Sequence, residues 1–128
     1  MKNILPSHQY VSNYITPLYA KDGVIIGYVV TDSFRYFSVR YRRWISCTNG
    51  DTSDGATCAP DLLSFSWIIH DQLCSTGKFD DGTICTNWQA SNVLSDILKE
   101  EGRWFRARSW FAATWLFGGG KARNNGLF

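Results

Sequence analysis

The first 20 residues show neither a helical nor an alternating hydrophobic period, and Pro6 and Pro17 argue against a helix running through them. This predicts an N-terminal arm or a loose extended segment over residues 1–20. From Asp22 the pattern changes. "DGVIIGYVV" opens on an Asp-Gly turn signal and is dense in β-branched residues, which predicts a strand ending near Val30. "TDSF" turns the chain, and "RYFSVRYRRWISC", from Arg35 to Cys47, predicts one or two further strands. Extended segments following one another this closely predict a small antiparallel sheet.

A loop of turn-forming residues follows, "TNGDTSDGATCAPD" from Thr48 to Asp61. Beyond it the period lengthens to that of a helix. Leu62, Phe65, Ile69 and Leu73 recur on one face, Asp61 is placed to cap the start, and Gly77 follows the end. A second loop, "STGKFDDGTICTN", leads to a helix from about Trp88 to Glu101, with Asn87 as its cap, Ala90, Leu94 and Leu98 as its stripe, and Gly102 as its stop. A third helix runs from about Arg103 to Phe117, with Trp104, Ala107, Phe111 and Thr114 or Trp115 along one face. "GGG" at 118–120 ends it, and the polar residues after it predict a mobile tail over 118–128. Strands first and helices later predict an α+β fold: a small N-terminal antiparallel sheet followed by three helices, the first carrying an adjacent His70 and Asp71, in one domain spanning residues 1–128.

Composition narrows the function classes. Apolar residues make up 45% of the 128 residues and aromatics 16%, which suits a packed core and excludes a disordered chain. The formal net charge of +2 is too small to argue for nucleic acid by itself. The longest apolar run, "VIIGYVV", falls far short of the ~18 residues of a membrane span, so an integral membrane protein is not expected. "MKNILPSHQYVSNY" lacks the apolar run of a signal peptide, which predicts that the mature chain is the whole chain. None of Cys47, Cys58, Cys74 and Cys85 forms a Cys-x-x-Cys pair, so the common zinc spacings are absent. Free buried thiols, one or two disulfides, and a metal site all remain open; free thiols fit a reducing compartment.

The chemistry concentrates in "SWIIHDQLC". A histidine followed by an aspartate in an otherwise apolar helix is either a proton-transfer site or a polar pair that fixes packing. One residue along a helix turns the side chain by about 100°, so His70 and Asp71 need not bond each other. Asp54, Asp51 and Asp96 are the carboxylates that could orient His70 from elsewhere. Cys74 lies one turn beyond His70, a spacing that permits a Cys–His dyad. "GDTSDGAT" offers Asp51 and Asp54 to a hard cation such as calcium, but lacks the EF-hand pattern, and a turn built on the Asp side chains is the favoured reading. No Gly-x-Ser-x-Gly elbow or phosphate-binding glycine loop occurs. Two blocks mix cations with aromatics: Arg40, Arg42 and Arg43 with Tyr41 and Trp44, and Arg103, Arg106 and Arg108 with Trp104 and Phe105. Arg42, Trp44, Trp104 and Arg108 are the candidate partner contacts, because Trp, Tyr and Arg anchor protein interfaces. Nucleic-acid binding by these blocks is a further reading, weakened by the acidic loops.

"SDGATCAPDLLSFSWIIHDQLC" resembles the core of a phage and prophage family known as a domain of unknown function. The family pattern is a T-D-x-A-S-x-P loop, then a helix ending H-D-x-L-Y. Asp54 matches the loop aspartate, Ala56 and Thr57 the small pair, and Pro60 the proline, with one extra residue before it. His70, Asp71 and Leu73 match the helix motif. "ASNVLSDILKEEG" resembles the family's second helix and "ARSWFAATWLFGG" its closing aromatic helix, so the likeness covers roughly Gly50 to Gly119. The chain departs from the pattern at Cys74, where the family has Tyr, at Ser91, where Asp is usual, and at Trp115, where Arg is common.

The resemblance implies a phage virion component of the capsid, tail or injection apparatus. It would be made in the host cytoplasm and carried in the particle, with other virion proteins and the host envelope as partners. The H-D-x-x-Y helix is itself similar to the His-Asp helix of secreted phospholipases A, where the histidine activates water and the aspartate binds calcium. That likeness implies a hydrolase-like site with His70, Asp71 and Asp54 as its catalytic residues, and Asp54 and Asp71 as ligands of a divalent cation. The alternatives are an envelope-directed hydrolase, acting on lipid or peptidoglycan with His70 as general base, and a nucleic-acid-binding accessory protein.

Overall fold

The computed structural model describes residues 2–4, 8–53 and 64–128. Among these residues six short strands precede four helices, an α+β fold. The strands are β1 (Lys2–Ile4), β2 (Ile15–Tyr19), β3 (Ile25–Val30), β4 (Phe34–Ser38), β5 (Arg43–Cys47) and β6 (Thr52–Ser53). The helices are α1 (Phe65–Thr76), α2 (Asn87–Glu100), α3 (Trp104–Phe117) and α4 (Lys121–Asn125), and a 3-10 helix at His8–Asn13 leads into β2.

The expected sheet is two three-stranded sheets. One, in the order β2-β3-β6, is wholly antiparallel. In the other, β4 and β5 form an antiparallel hairpin, and β1 adds to β4 in parallel. The N-terminal stretch read as an arm therefore supplies strands to both sheets. Within β4, Phe34, Tyr36 and Ser38 are buried and Arg35 and Phe37 half-buried, the two-residue alternation of a strand with one face on the core. The core joins these strands to the helices. Val30, Phe34, Tyr36 and Ile45 meet Phe65, Ile69 and Leu73 of α1 and Val93 and Ile97 of α2. A smaller cluster of Trp67, Leu94, Leu98 and Ala107 ties α3 to the other two long helices.

Both caps differ from the expected residues. Ser64 caps α1, accepting from the Ser66 N–H at 3.0 Å; the expected cap, Asp61, lies outside the described residues. Thr86, not Asn87, caps α2. Its hydroxyl accepts from the Gln89 N–H, and the Gln89 side chain accepts from the Thr86 N–H at 3.0 Å, a reciprocal capping box. Asn87 is instead buried, and its amide donates to the Trp115 carbonyl at the end of α3.

The C-terminal segment read as a mobile tail is packed against the helices. Ala122 of α4 is fully buried. The Asn125 amide donates to the carbonyls of Gly77 (2.9 Å) and Cys85 (3.0 Å), and the Arg123 guanidinium to those of Trp115, Leu116 and Gly118. Phe128 rests on Trp88 and Trp115.

Candidate functional site

Helix α1 is fixed at both ends, and this sets the position of His70 and Asp71. At its start the Ser64 hydroxyl also reaches the buried Glu101 carboxylate, at 2.6 Å. At its end Gly77 takes the left-handed conformation (φ 67°) and donates to the Leu73 carbonyl, closing the last turn. His70, Asp71 and Cys74 occupy the second half of this helix.

His70 is buried, its side chain 8% exposed. Its Nδ1 lies 3.6 Å from Asp71 Oδ1, so the two neighbours do meet, their side chains folding toward each other across the 100° between them. The other Asp71 oxygen accepts from Ser53 Oγ at 2.5 Å, which ties α1 to the end of β6. The Cys74 sulfur is 3.7 Å from His70 Nε2 and 3.9 Å from Nδ1. Being nearly equidistant from the two nitrogens, it lies along the lone pair of neither. Burial of His70 lowers its proton affinity, but the adjoining Asp71 side chain, and after it the neighbouring Cys74, outweigh burial, and its pKa is pushed up to about 9. This direction favours the protonated imidazole opposite Asp71 at neutral pH.

These groups open on a cleft of about 400 Å³. Thr52 of β6 forms one wall, His70, Asp71, Cys74 and Ser75 of α1 another, and Gly118–Gly120 a third. A second hollow of about 300 Å³ lies beside it, around Gly50, Asp51 and Gln72, and Asp71 lines both. The glycine run, read from sequence only as a helix stop, can approach α1 because it lacks side chains. A Cβ on Gly120 would stand 2.6 Å from the Cys74 carbonyl oxygen.

The remaining sequence-named residues fall in different places. Asp54 lies outside the described residues, as do Ala56, Thr57 and Pro60 of the loop motif. Asp51 lines the second hollow, and its carboxylate accepts from the Thr48 N–H at 2.7 Å, the turn-building role. Asp96 pairs through both oxygens with Arg40, at 2.8 Å each, and does not orient His70. Among the described residues no group of three or more His, Cys, Asp or Glu side chains is placed to hold a metal ion, and both Asp71 oxygens face protein partners. Ser91 is buried and accepts from the Thr114 hydroxyl, so it serves the α2–α3 contact. Cys47, Cys74 and Cys85 are free thiols.

Of the candidate partner contacts, Trp44 is half-buried and packs between Phe37 and the Arg35 guanidinium. Arg42 is exposed at the β4–β5 turn, with a left-handed backbone (φ 53°). Trp104 and Arg108 are exposed on α3. Sequence reasoning missed Thr52 and Gly118–Gly120 as walls of the cleft, and Ser53 as the partner that holds Asp71. The small-residue composition of 118–120 was the available signal, since three glycines in a row permit a close backbone approach. No family model, no curated protein and no solved structure matches the chain.

Proposed function

We propose that this chain is a phage virion-associated protein carrying a hydrolase-type site centred on His70 and Asp71. The resemblance of "SDGATCAP" and "HDQLC" to the phage family supports the setting. One arrangement supports the chemistry: a nearly sealed imidazole, held by Asp71 and in contact with a half-exposed thiol, on the wall of an open cleft. A group that keeps its proton to about pH 9 enters a reaction at neutral pH as an acid. As water adds to a carbonyl or phosphoryl centre and the ester bond breaks, His70 would stabilise the negative charge developing on the oxygen and donate its proton to the leaving group, and the proton released by the added water returns to the imidazole. Asp71 orients the ring and balances its charge, and Ser53 holds Asp71. The general-base role suggested by the phospholipase likeness would operate only once that proton is lost, in alkaline solution.

A purely structural role for the pair is the competing reading, favoured by the near-complete burial of His70. The two are separated by assaying the purified chain on chromogenic carboxylic and phosphoric esters beside His70→Gln. Ester cleavage that disappears in a folded His70→Gln variant supports the site. Equal rates in both proteins would overturn it and leave the pair a packing device. The setting has its own test: the chain is expected in the protein inventory of purified phage particles, and its absence from them would refute the virion assignment.

A further inference from the structure

Helix α3 is apolar on two opposite sides, and only one is used. On the inner side Ala107 is buried, Trp110 packs edge-on against Trp67, and Phe111 and Trp115 meet Trp88. On the outer side Phe105, Ser109, Ala112 and Leu116, spaced by four, three and four residues, form one exposed line about 16 Å long. Phe105 is 85% exposed and Leu116 52%; beside the line stand Trp104 at 60% and Phe117 at 85%. A helix side lined by large apolar residues is normally covered.

Charge identifies what covers it. Residues 103–128 contain Arg103, Arg106, Arg108, Lys121 and Arg123 and no Asp or Glu. Their formal charge is +5, against −3 for residues 1–102. Arg108 is exposed and lies one turn from Phe105, and Lys121 is exposed just beyond the helix. Arg103 is paired with Glu101 at 3.7 Å, which leaves Arg108 and Lys121 as the exposed cations, and a second copy docked through the same face would set them against one another. A nucleic acid would meet the cations but leave Leu116 and Ala112, which have no ring to stack, against polar phosphate and sugar. An anionic bilayer satisfies both features, because phenylalanine, tryptophan and leucine enter the acyl boundary while arginine and lysine stay among the headgroups. The 14 residues of α3 span about 21 Å, shorter than the roughly 30 Å hydrocarbon core, so the helix would lie on the membrane rather than cross it.

We infer that the outer face of α3, centred on Phe105, Arg108, Leu116 and Phe117, is a docking surface for an anionic lipid bilayer. The surface is separate from the His70 cleft and stands or falls independently of its chemistry. The test is flotation of the full chain with two vesicle preparations, phosphatidylcholine alone and phosphatidylcholine containing phosphatidylglycerol, at low and high salt. Binding is expected to the phosphatidylglycerol vesicles, weakened by salt, with a blue shift of tryptophan emission as Trp104 leaves water. Phe105→Ser combined with Phe117→Ser is expected to reduce that binding at least about tenfold. Arg108→Glu should weaken it and flatten its salt dependence. All three positions are exposed, and circular dichroism verifies that the variants fold. Failure of the wild-type chain to float with the anionic vesicles would overturn the inference. So would equal binding by the Phe variants, or loss in those variants of self-association or oligonucleotide binding instead of vesicle binding.

Discussion

His70 and Asp71 are adjacent in sequence and also face each other, with 3.6 Å between Nδ1 and Oδ1. The contact keeps a proton on a ring that burial would otherwise leave neutral, and the His70 pKa rises from its ordinary value to about 9. A histidine that holds its proton more tightly when folded stabilises the fold fully below its unfolded pKa of 6.5 and loses that contribution as the pH rises through 9. Urea midpoints are therefore expected to fall between pH 6.5 and 9, and the imidazole proton resonances of His70 to titrate near 9. Asp71→Asn should lower that titration toward or below 6.5 and cost on the order of 1 kcal/mol, because the Asp71 carboxylate is 36% exposed and solvent screens the pair. A His70 titration unchanged by Asp71→Asn would refute the ion pair.

Glu100 gives a second pH effect of the same sign in a different window. Its pKa is raised to about 7, first by partial burial and then by Asp96 and Glu101, while the hydrogen bond donated by Tyr36 opposes the shift. A carboxyl that is harder to ionise when folded destabilises the fold as it ionises. That loss begins above its ordinary value of 4.5 and is complete above 7. Glu100→Gln is expected to remove the slope of stability between pH 4.5 and 7 and to leave the slope between 7 and 9 intact. Thermal denaturation of both proteins across that range checks it.

The thiols differ in access. Cys47 and Cys85 are fully buried, and burial pushes both thiols up, Cys85 to about 12. Cys74 is half-exposed on the cleft wall. Iodoacetamide at neutral pH is expected to modify Cys74 in the native protein and to reach Cys47 and Cys85 only after denaturation. Peptide mass mapping reads the order directly, and native labelling of Cys47 at the rate of Cys74 would contradict the packing.

Much of this architecture was legible in the chain because it depends on local periodicity. The β-branched run ending at Val30, the alternation through Phe34–Ser38 and the i, i+4 spacing of Phe65, Ile69 and Leu73 each encode one element and its buried face. The α2 cap was read as Asn87 and is Thr86; Thr86-x-x-Gln89 is a capping-box pattern, and Gln89 decides between the two equally competent residues. His70 and Asp71 stood out because polar groups in an apolar helix need partners. Those partners did not stand out. Ser53 is 18 residues from Asp71 and belongs to a two-residue strand with no pattern of its own. The parallel pairing of β1 with β4 and the return of Gly120 to Cys74 are likewise set by tertiary packing, which no short window of sequence contains.

That return is open to a sharp substitution test, because two neighbouring glycines on the cleft wall have opposite surroundings. At Gly120 the backbone is left-handed (φ 86°), and an added Cβ would lie 2.6 Å from the Cys74 carbonyl oxygen and 3.3 Å from Cys74 Cβ. At Gly119 an added Cβ meets nothing within 4 Å. Gly120→Ala is expected to destabilise the protein by about 2 kcal/mol or more, through backbone strain and displacement of the glycine run from α1. Gly119→Ala should stay within about 0.5 kcal/mol of the wild type. Displacing the run also detaches α4, whose buried Ala122 and the Asn125 bridge to Gly77 and Cys85 depend on its path. Gly120→Ala should therefore speed limited proteolysis after Lys121 and Arg123 as well as shift the urea midpoint, whereas Gly119→Ala should do neither. Equal behaviour of the two variants would show that the glycine run does not close on Cys74 in solution.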